Sequence, residues 1–254
     1  MGRRLGQHFL ARKSILERIA LAACNEHAPV VIEIGPGKGA LTESLLSLAK
    51  KVVAIEVDPY LVHYLRQKFR EPIDLGRFVL VDGDVLKTDL SAWGRAVVAG
   101  NLPYYITSPI LEKTFAMGQA WERSVFMVQA EVAARLAASP GSRAFGYLTV
   151  QAQLYSRPEI LFTVPRTAFR PPPKVDSAVI RLDPRDAGSD LGIVDRAAFL
   201  RFAAACFRQK RKTLRNNLAP VYGKQRVDSL EETRLRAEQL SLADLARLYH
   251  KIES

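Results

Sequence analysis

Short apolar runs rich in β-branched residues alternate along the chain with longer stretches of helical periodicity. The runs are continuous in apolar residues, which is typical of strands that are buried on both faces of a parallel sheet. Strands that alternate with helices in this way predict an α/β domain with a mostly parallel sheet and helices on both faces. The predicted strands are 30–34, 52–57, 78–81, 96–99, 125–128, 160–164 and 177–182.

The segments between these strands predict helices, and we also interpret residues 147–155 as a helix. The residues that should pack on the sheet from the first such helix are Leu41, Leu45, Leu48 and Ala49. Residues 183–193 contain Asp-Pro, Gly-Ser and a further Gly, which are turn and linker signals, and helical periodicity alone follows them. We therefore predict a sheet domain at 1–183 and a small all-α domain at 184–254.

The composition, with 48% hydrophobic and 25% charged residues among 254, excludes disordered and fibrous classes. Lys and Arg number 37 against 26 Asp and Glu, and the resulting net charge of +11 indicates a polyanionic partner. Net charge alone does not separate a nucleic acid from an anionic membrane. However, the chain has neither an apolar run of membrane-spanning length nor a signal-peptide pattern, so we expect no membrane association.

Cys24 and Cys206 are the only cysteines of the chain. Two cysteines without metal-ligand spacing predict neither a disulfide framework nor a metal site. We expect two buried thiols in a protein of the reducing cytoplasm.

A glycine-rich turn, Gly35-Pro36-Gly37-Lys38-Gly39, follows the first predicted strand and leads into a helix. This order is typical of the nucleotide-binding crevice of doubly wound sheets. Glu56 lies near the end of the second strand, where its carboxylate can accept hydrogen bonds from ribose hydroxyls, and Asp84 follows the third strand, where it can accept from an adenine amino group. A dinucleotide is a second possibility for the cofactor, but the chain has no second phosphate-binding feature, which favours S-adenosylmethionine.

Asn101-Leu102-Pro103-Tyr104 follows the fourth predicted strand. An aromatic amine is a poor nucleophile, because its lone pair is delocalised into the ring. If the Asn101 side chain and the Leu102 carbonyl accept the two amino hydrogens, the nitrogen can direct its lone pair at a methyl donor. Pro103 holds Leu102 extended, and Tyr104 can stack on the base. The motif therefore predicts methylation of adenine in RNA.

Together with these segments, residues 6–10 (GQHFL), 169–177 (FRPPPKVDS) and 207–218 (FRQKRKTLRNNL) make the chain resemble the KsgA-type ribosomal RNA adenine dimethyltransferases, relatives of the Erm methylases. The resemblance spans nearly the whole sequence. It implies a Rossmann-like class I methyltransferase domain followed by a small helical domain that binds RNA. It also implies S-adenosylmethionine as the cofactor.

The resemblance assigns roles to individual residues. It implies that Tyr104 and Phe169 sandwich the target adenine, beside the catalytic Asn101, Leu102 and Pro103. His8 stands where the family often has Asn, and an imidazole nitrogen can make a similar hydrogen bond. The residues that it implies to line the cofactor are His8, Leu10, Gly35, Glu56, Asp84 and Asn101.

A dense basic cluster lies within the last of these segments, and we predict that it belongs to a helix and contacts RNA phosphates. Phe207 and Leu214 are placed to pack one face of that helix. The residues of the cluster are Arg208, Lys210, Arg211, Lys212 and Arg215.

The family resemblance implies that the substrate is two adjacent adenosines near the 3′ end of small-subunit (16S) ribosomal RNA. We expect a monomeric cytoplasmic enzyme without a metal. An Erm-type methylase of large-subunit RNA is the nearest competing function, which Leu102 disfavours because those relatives usually have Ile there. A non-catalytic ribosome-assembly or transcription factor and a methylase of glutamine side chains are two more distant possibilities.

Overall fold

The protein is described by a computed structural model that covers residues 9–10, 12–24 and 30–253. In chain order, its strands are β1 (Phe9–Leu10), β2 (Val30–Ile34), β3 (Lys51–Glu56), β4 (Phe78–Asp82), β5 (Ala96–Asn101), β6 (Trp121–Gln129), β7 (Ser156–Val164), β8 (Phe169–Arg170) and β9 (Ser177–Pro184). Its α-helices are α1 (Lys13–Cys24), α2 (Ala40–Leu46), α3 (Pro59–Lys68), α4 (Arg70–Asp74), α5 (Thr107–Phe115), α6 (Ala130–Leu136), α7 (Tyr147–Tyr155), α8 (Ala187–Asp190), α9 (Arg196–Cys206), α10 (Leu214–Tyr222), α11 (Lys224–Asp228) and α12 (Leu242–Glu253).

Among the described residues, the main sheet has seven strands in the order β4-β3-β2-β5-β6-β9-β7. The pairs from β4 through β6 are parallel, and β9 pairs antiparallel with β6. The chain builds outward from β2 to β4 and then returns to the other side of β2 with β5. Such a reversal opens a crevice at the carboxyl ends of the two central strands, which is where folds of this kind bind their ligands.

Helices cover the sheet, as the continuous apolar runs predicted. Val31 and Ile32 of β2 point to opposite faces, and both are fully buried. On one face, side chains of α1 and α2 such as Ile19 and Leu45 pack in a single cluster with the sheet. The predicted α/β fold with a mostly parallel sheet is therefore confirmed.

Two local predictions on helices have different outcomes. Residues 147–155 form α7, as expected. The prediction that Leu48 packs in the core is wrong, because α2 ends at Leu46 and the Leu48 side chain is 47% exposed. Ala49, one residue further on, is buried as expected.

The chain divides into two compact units: the described residues up to Ala133 together with Glu159–Pro184, and Ala134–Pro158 together with the described residues from Arg185. The predicted domains, 1–183 and 184–254, did not place the segment Ala134–Pro158 with the C-terminal helices. The core of the second unit includes Val150 of α7 and an aromatic group in which the Phe199 and Phe202 rings lie 5.5 Å from the Tyr249 ring.

Both cysteines are free and buried, as the sequence predicted. Burial raises the pKa of the Cys24 thiol to about 11 and also raises the pKa of Cys206, which keeps both sulfurs protonated and unreactive near neutral pH. Within the described ranges, the helices lack the combination of length and apolar character that a membrane span requires.

Candidate active site

The carboxyl ends of four parallel strands meet along one edge of the main sheet. In the register of the sheet, Ile34 of β2 lies opposite Ile55 of β3, and Glu56 lies opposite Asp82 of β4. On the other side of β2, its residue Glu33 lies opposite Ala99 of β5. The segments that carry the predicted site residues after these four strands are therefore neighbours in space, although they are far apart in sequence.

The glycine turn adopts backbone conformations that residues with side chains rarely adopt. Gly35, Gly37 and Gly39 have positive φ angles of 65°, 59° and 77°. A Cβ added at Gly39 would lie 2.4 Å from the Phe69 ring, whereas a Cβ added at Gly35 would meet nothing within 4 Å. The turn is thus closely packed at the start of α2 and open above Gly35, which leaves room for a ligand beside the backbone.

Glu56 links the glycine turn to the end of β3. Its Oε2 accepts a 3.2 Å hydrogen bond from the Gly37 N–H, and its Oε1 accepts 3.0 Å bonds from the N–H groups of Val57 and Asp58. Burial raises the pKa of the Glu56 carboxyl, and these backbone donors oppose the rise. The carboxyl group is fixed in position and has acceptor capacity left for hydroxyl groups of a ligand.

Sequence reasoning missed Glu33, the buried carboxyl group beneath the turn. Glu33 is 1% exposed and accepts a 2.6 Å hydrogen bond from the Thr42 hydroxyl of α2. Burial raises the pKa of Glu33 to about 7, the Thr42 bond opposes the rise, and the charge of Glu56 adds to it. A glutamate inside an otherwise apolar strand was the available signal, since such a group must find a partner when it is buried.

Asp84 lies in the turn after β4. Its Oδ1 accepts a 2.9 Å hydrogen bond from the Leu86 N–H, and its carbonyl accepts from the N–H groups of Lys87 and Thr88. The turn is therefore ordered by the aspartate itself. The other carboxylate oxygen, Oδ2, accepts no hydrogen bond among the described residues, so Asp84 retains an acceptor at this edge of the sheet.

The Asn101 to Tyr104 segment leaves the sheet at the end of β5. The Leu102 N–H donates a 3.0 Å hydrogen bond to the Met127 carbonyl of β6, which extends the strand pairing by one residue. Gly100 lies just before this segment, and a Cβ there would lie 2.6 Å from the Ile34 carbonyl oxygen. β5 therefore passes very close to β2 at the point where the motif begins.

Tyr104 is held by a residue from another strand. Its hydroxyl lies 3.0 Å from the Ser177 Oγ, at the start of β9. This hydrogen bond restricts the Tyr104 ring, which is partly exposed. The ring can thus offer a pre-oriented surface to a planar ligand.

Leu10 was predicted to line the cofactor and Phe169 to stack on the target adenine. The two residues pair with each other in the two-stranded sheet β1–β8. The Phe169 side chain is 2% exposed and packs in the hydrophobic cluster of the first unit. A stacking role for Phe169 therefore requires its ring to be uncovered when a base binds. His8 lies outside the described residues.

The basic residues lie in the second unit, and the prediction that they belong to one helix is wrong. α9 ends at Cys206 and α10 begins at Leu214, so residues 207–213 form a connection that we call the basic loop. The buried Asn217 holds it: its Nδ2 donates 2.8 Å and 3.2 Å hydrogen bonds to the carbonyls of Cys206 and Gln209, and its Oδ1 accepts a 3.1 Å bond from the Gln209 N–H.

The charges of this region differ in how freely they face solvent. Arg215, in α10, makes two hydrogen bonds of 2.6 Å and 2.8 Å with the Asp228 carboxylate. Lys210 donates to the Arg143 carbonyl, which leaves its charge without a carboxylate partner. The side chains of Arg208, Arg211 and Lys212 are exposed. The cations of the basic loop are therefore more available to a polyanion than Arg215 is.

The family model for "Ribosomal RNA adenine dimethylase" matches residues 2–253 of the chain. The chain belongs to this family. It is therefore an S-adenosylmethionine-dependent enzyme that dimethylates adenine in ribosomal RNA, and the family predicted from the sequence is confirmed. The open space above Gly35 and the fixed carboxyl group of Glu56 fit an adenosine-containing cofactor.

Relatives of the chain include proteins named ribosomal RNA small subunit methyltransferase A. That of Acidobacterium capsulatum is 45% identical over 262 residues, which cover 98% of this chain and 90% of the relative. That of Xanthomonas campestris pv. campestris (strain B100) is 43% identical over 248 residues, which cover 96% and 93%.

Two solved structures resemble this dimethylase over almost its full length. A dimethyladenosine transferase from Plasmodium falciparum has a TM-score of 0.79 at 26% identity and covers 96% of each chain. The 23S ribosomal RNA methyltransferase ErmE has a TM-score of 0.70 at 26% identity and covers 97% of this chain and 100% of its own. Both comparisons agree with a Rossmann-like methyltransferase fold that carries a C-terminal helical part.

Proposed function

We propose that this enzyme dimethylates the N6 amino groups of two adjacent adenosines near the 3′ end of small-subunit (16S) ribosomal RNA. The observation that supports the proposal most directly is the position of the Asn101 to Tyr104 segment, at the carboxyl end of β5 beside β2 and its glycine turn. The names of the relatives favour the small subunit over the large subunit as the source of the substrate.

The cofactor side of the site consists of groups at the ends of β2, β3 and β4. The Gly35 backbone would lie against the ligand, the Glu56 carboxyl group would accept from ribose hydroxyls, and Asp84 would accept from the adenine amino group. His8, Leu10 and Asn101 complete the set that the family resemblance implies. When bound, S-adenosylmethionine supplies an electrophilic methyl group.

The substrate side consists of Asn101, Leu102, Pro103 and Tyr104. The Asn101 side-chain oxygen and the Leu102 carbonyl would accept the two hydrogens of the target amine, which lets the nitrogen pyramidalise and present its lone pair. Tyr104, restrained by Ser177, would stack on the base, and Phe169 would cover the other face of the base once its ring is uncovered. The methylated amine can lose its proton to solvent, so this chemistry needs no dedicated general base.

The basic loop would contact the phosphates of the RNA. Arg208, Lys210, Arg211 and Lys212 carry charges that are not paired with carboxylates in the described part of the chain. Neutralising phosphates with such side chains releases counterions, which favours binding at low salt. Arg215 would contribute less, because Asp228 already neutralises it.

We further propose that the enzyme acts as a monomer in the cytoplasm. One chain carries the cofactor residues, the adenine motif and the basic loop, so the proposed chemistry needs no residue from a second copy. Light scattering of the purified enzyme, alone and with small ribosomal subunits, measures its oligomeric state.

The decisive experiment is transfer of tritiated methyl groups from S-adenosylmethionine to small ribosomal subunits that lack this modification, followed by nucleoside analysis and mapping. We expect dimethyladenosine at two neighbouring positions with the wild-type enzyme and almost none with Asn101→Ala. Binding of S-adenosylmethionine without transfer would instead indicate a non-catalytic assembly factor.

An Erm-type activity on large-subunit RNA is a second candidate, because the fold is also similar to that of ErmE. Parallel methyl-transfer reactions with naked large-subunit RNA and with large subunits distinguish this activity from the proposed one. Methylation of large-subunit RNA in preference to small subunits would overturn the proposed substrate.

A further inference from the structure

A surface cavity of about 430 Å³ lies beside the adenine motif, and the proposed chemistry does not use it. It is lined by the end of β6, the start of α6, Arg166 and the residues just before β9. A volume in this range is typical of sites that bind small organic groups. The residues that line it are Gln129, Ala130, Glu131, Arg166, Lys174, Val175 and Asp176.

The cavity is connected to Tyr104 through Ser177. Gln129 lies opposite Ser177 in the β6–β9 register, and Ser177 is the hydrogen-bond partner of the Tyr104 hydroxyl. Asp176, one residue before Ser177, lines the cavity. The cavity and the Tyr104 ring therefore have Ser177 as a common neighbour, so a nucleotide in the cavity would lie near a base stacked on Tyr104.

The cavity walls are fastened to one another. The Asp176 carbonyl accepts a 3.0 Å hydrogen bond from the Ala130 N–H, and its Oδ1 accepts a 2.8 Å bond from the Arg166 N–H. These two bonds join the start of α6 and the turn at Arg166 to the segment before β9. The cavity is thus formed before any ligand binds, which lowers the entropy cost of binding.

The lining combines charges of both signs with a neutral amide. Among the described residues, neither Arg166 nor Lys174 makes an ion pair, so both cations are available to a phosphate. Glu131 likewise makes no ion pair and can accept from a base amino group or a 2′-hydroxyl. Two carboxylates in the lining disfavour a small inorganic anion, whereas a nucleotide presents both a phosphate and hydrogen-bond donors.

We propose that this cavity binds the RNA nucleotide adjacent to the target adenosine. Arg166 and Lys174 contact its phosphate, Val175 packs on the sugar or base, and Gln129 and Glu131 hydrogen-bond its polar edge. The inference rests on the proposed function, since it places a neighbour of the adenosine that is methylated. Its consequence is that this cavity, together with the adenine pocket, selects which adenosine enters.

The first test measures position. Val175 is 45% exposed, and the two native cysteines are buried, so Val175→Cys introduces a reactive thiol that a photoactivatable reagent can label selectively. Leu75→Cys, which is 66% exposed beyond α4, is the matched control. After irradiation with unmodified small subunits, we expect the Val175→Cys adduct to map to a nucleotide next to the target adenosines and the Leu75→Cys adduct to map elsewhere or not to form.

The second test measures energetics. Arg166→Ala combined with Lys174→Ala should raise the KM for small subunits about tenfold, because two charge-assisted contacts to one phosphate are lost. The affinity for S-adenosylmethionine should stay unchanged, since neither side chain lies on the cofactor side. Lys50→Ala combined with Arg66→Ala removes two other exposed cations that make no described ion pair and serves as the matched control.

The outcomes separate this inference from the proposed function. Failure of the wild-type enzyme to methylate small subunits overturns the proposed function and this inference with it. If the wild-type enzyme methylates small subunits normally, two results overturn the assignment of the cavity alone. One is a Val175→Cys adduct far from the target adenosines, and the other is a KM of the Arg166→Ala/Lys174→Ala variant equal to that of the control double variant.

Discussion

The buried carboxyl group of Glu33 predicts a stability that depends on pH in a particular direction. Burial raises its pKa from 4.5 to about 7 in the folded chain. Between these two values the folded protein keeps the proton, whereas the unfolded chain releases it. Because the folded state binds more protons than the unfolded chain in this range, the stability falls as the pH rises. The contribution of Glu33 is therefore fully present below pH 4.5 and is lost as the pH rises through about 7.

The size of the effect follows from the same values. Each pH unit between the two pKa values changes the free energy of unfolding by about 1.4 kcal/mol. From pH 5 to pH 8, Glu33 should therefore lower the stability of the first unit by about 2 to 3 kcal/mol. Glu33→Gln has no titrating group at this position, and its amide oxygen can still accept from the Thr42 hydroxyl. The variant should lose this part of the pH dependence.

The measurement is urea unfolding at pH 5 and pH 8 without cofactor, followed by tryptophan fluorescence. Trp93 and Trp121 are the only tryptophans, and both lie in the first unit, so the signal reports on the sheet. The quantity to compare is the change in the free energy of unfolding between pH 5 and pH 8, measured in the wild type and in Glu33→Gln. Glu71→Gln, which removes an exposed carboxyl group, should behave like the wild type. Equal pH dependence in the wild type and Glu33→Gln would show that Glu33 does not hold the extra proton of the folded state.

Three further predictions concern the motif, the strands and the basic loop. Asn101→Ala should lower kcat on the order of 100-fold while the Kd for small subunits stays nearly constant, as single-turnover and binding assays would measure; near-normal turnover contradicts the role of Asn101. Gly100→Ala should destabilise the first unit by about 2 kcal/mol or more in thermal unfolding, since its Cβ would overlap a backbone oxygen. Gly83→Ala lies in the same unit and is the control, because its Cβ would lie 3.9 Å from the Thr88 hydroxyl, an ordinary contact. Replacing residues 210–212 of the basic loop by Ala should weaken RNA binding and reduce its salt dependence more than Arg215→Ala does, and equal slopes in a salt titration would place the RNA surface elsewhere.

The parallel strands were predictable because their environment leaves a simple pattern. β2 is buried on both faces, so its residues form a continuous apolar run, and its predicted and observed bounds agree. β6 is longer than its apolar run at 125–128, since it begins at Trp121. Arg123 lies in this added part of the strand, where its backbone pairs with Val97 of β5 and its side chain forms a 2.7 Å ion pair with Asp183. Both partners are distant in sequence, and no local pattern reveals them.

The basic loop was not predictable from periodicity. Phe207 and Leu214 are seven residues apart, a spacing that suits one face of a helix. The structure instead ends α9 at Cys206, and the Asn217 side chain supplies hydrogen bonds that a continuing helix would have made through its backbone. A single buried amide thus replaces a helical turn, and it acts from a residue that lies after the loop in the sequence.

The assignment of Ala134–Pro158 to the second unit depends on long-range packing. A Ser-Pro-Gly-Ser turn at 139–142 lies near the start of this segment, but a turn does not tell which unit the following helix joins. Val150 and Leu154 of α7 are buried in the same cluster as Phe199 and Leu218. Such a cluster forms because distant apolar faces complement each other, and that complementarity is visible only in three dimensions.

The residues that meet ligands and the residues that hold them in place have different signatures in the sequence. Gly35, Glu56 and Asn101, which we propose to contact the cofactor and the substrate, belong to motifs that are visible in the local sequence. Gly100 and Ser177 position the segments that carry these residues. Gly100 lets β5 approach β2, and Ser177 restrains Tyr104. Misplacing a reacting group by a fraction of an ångström costs catalysis even when every motif residue is present. We therefore expect a larger residue in place of Gly100 to weaken substrate binding and methyl transfer even when the Asn101 to Tyr104 segment itself is unchanged.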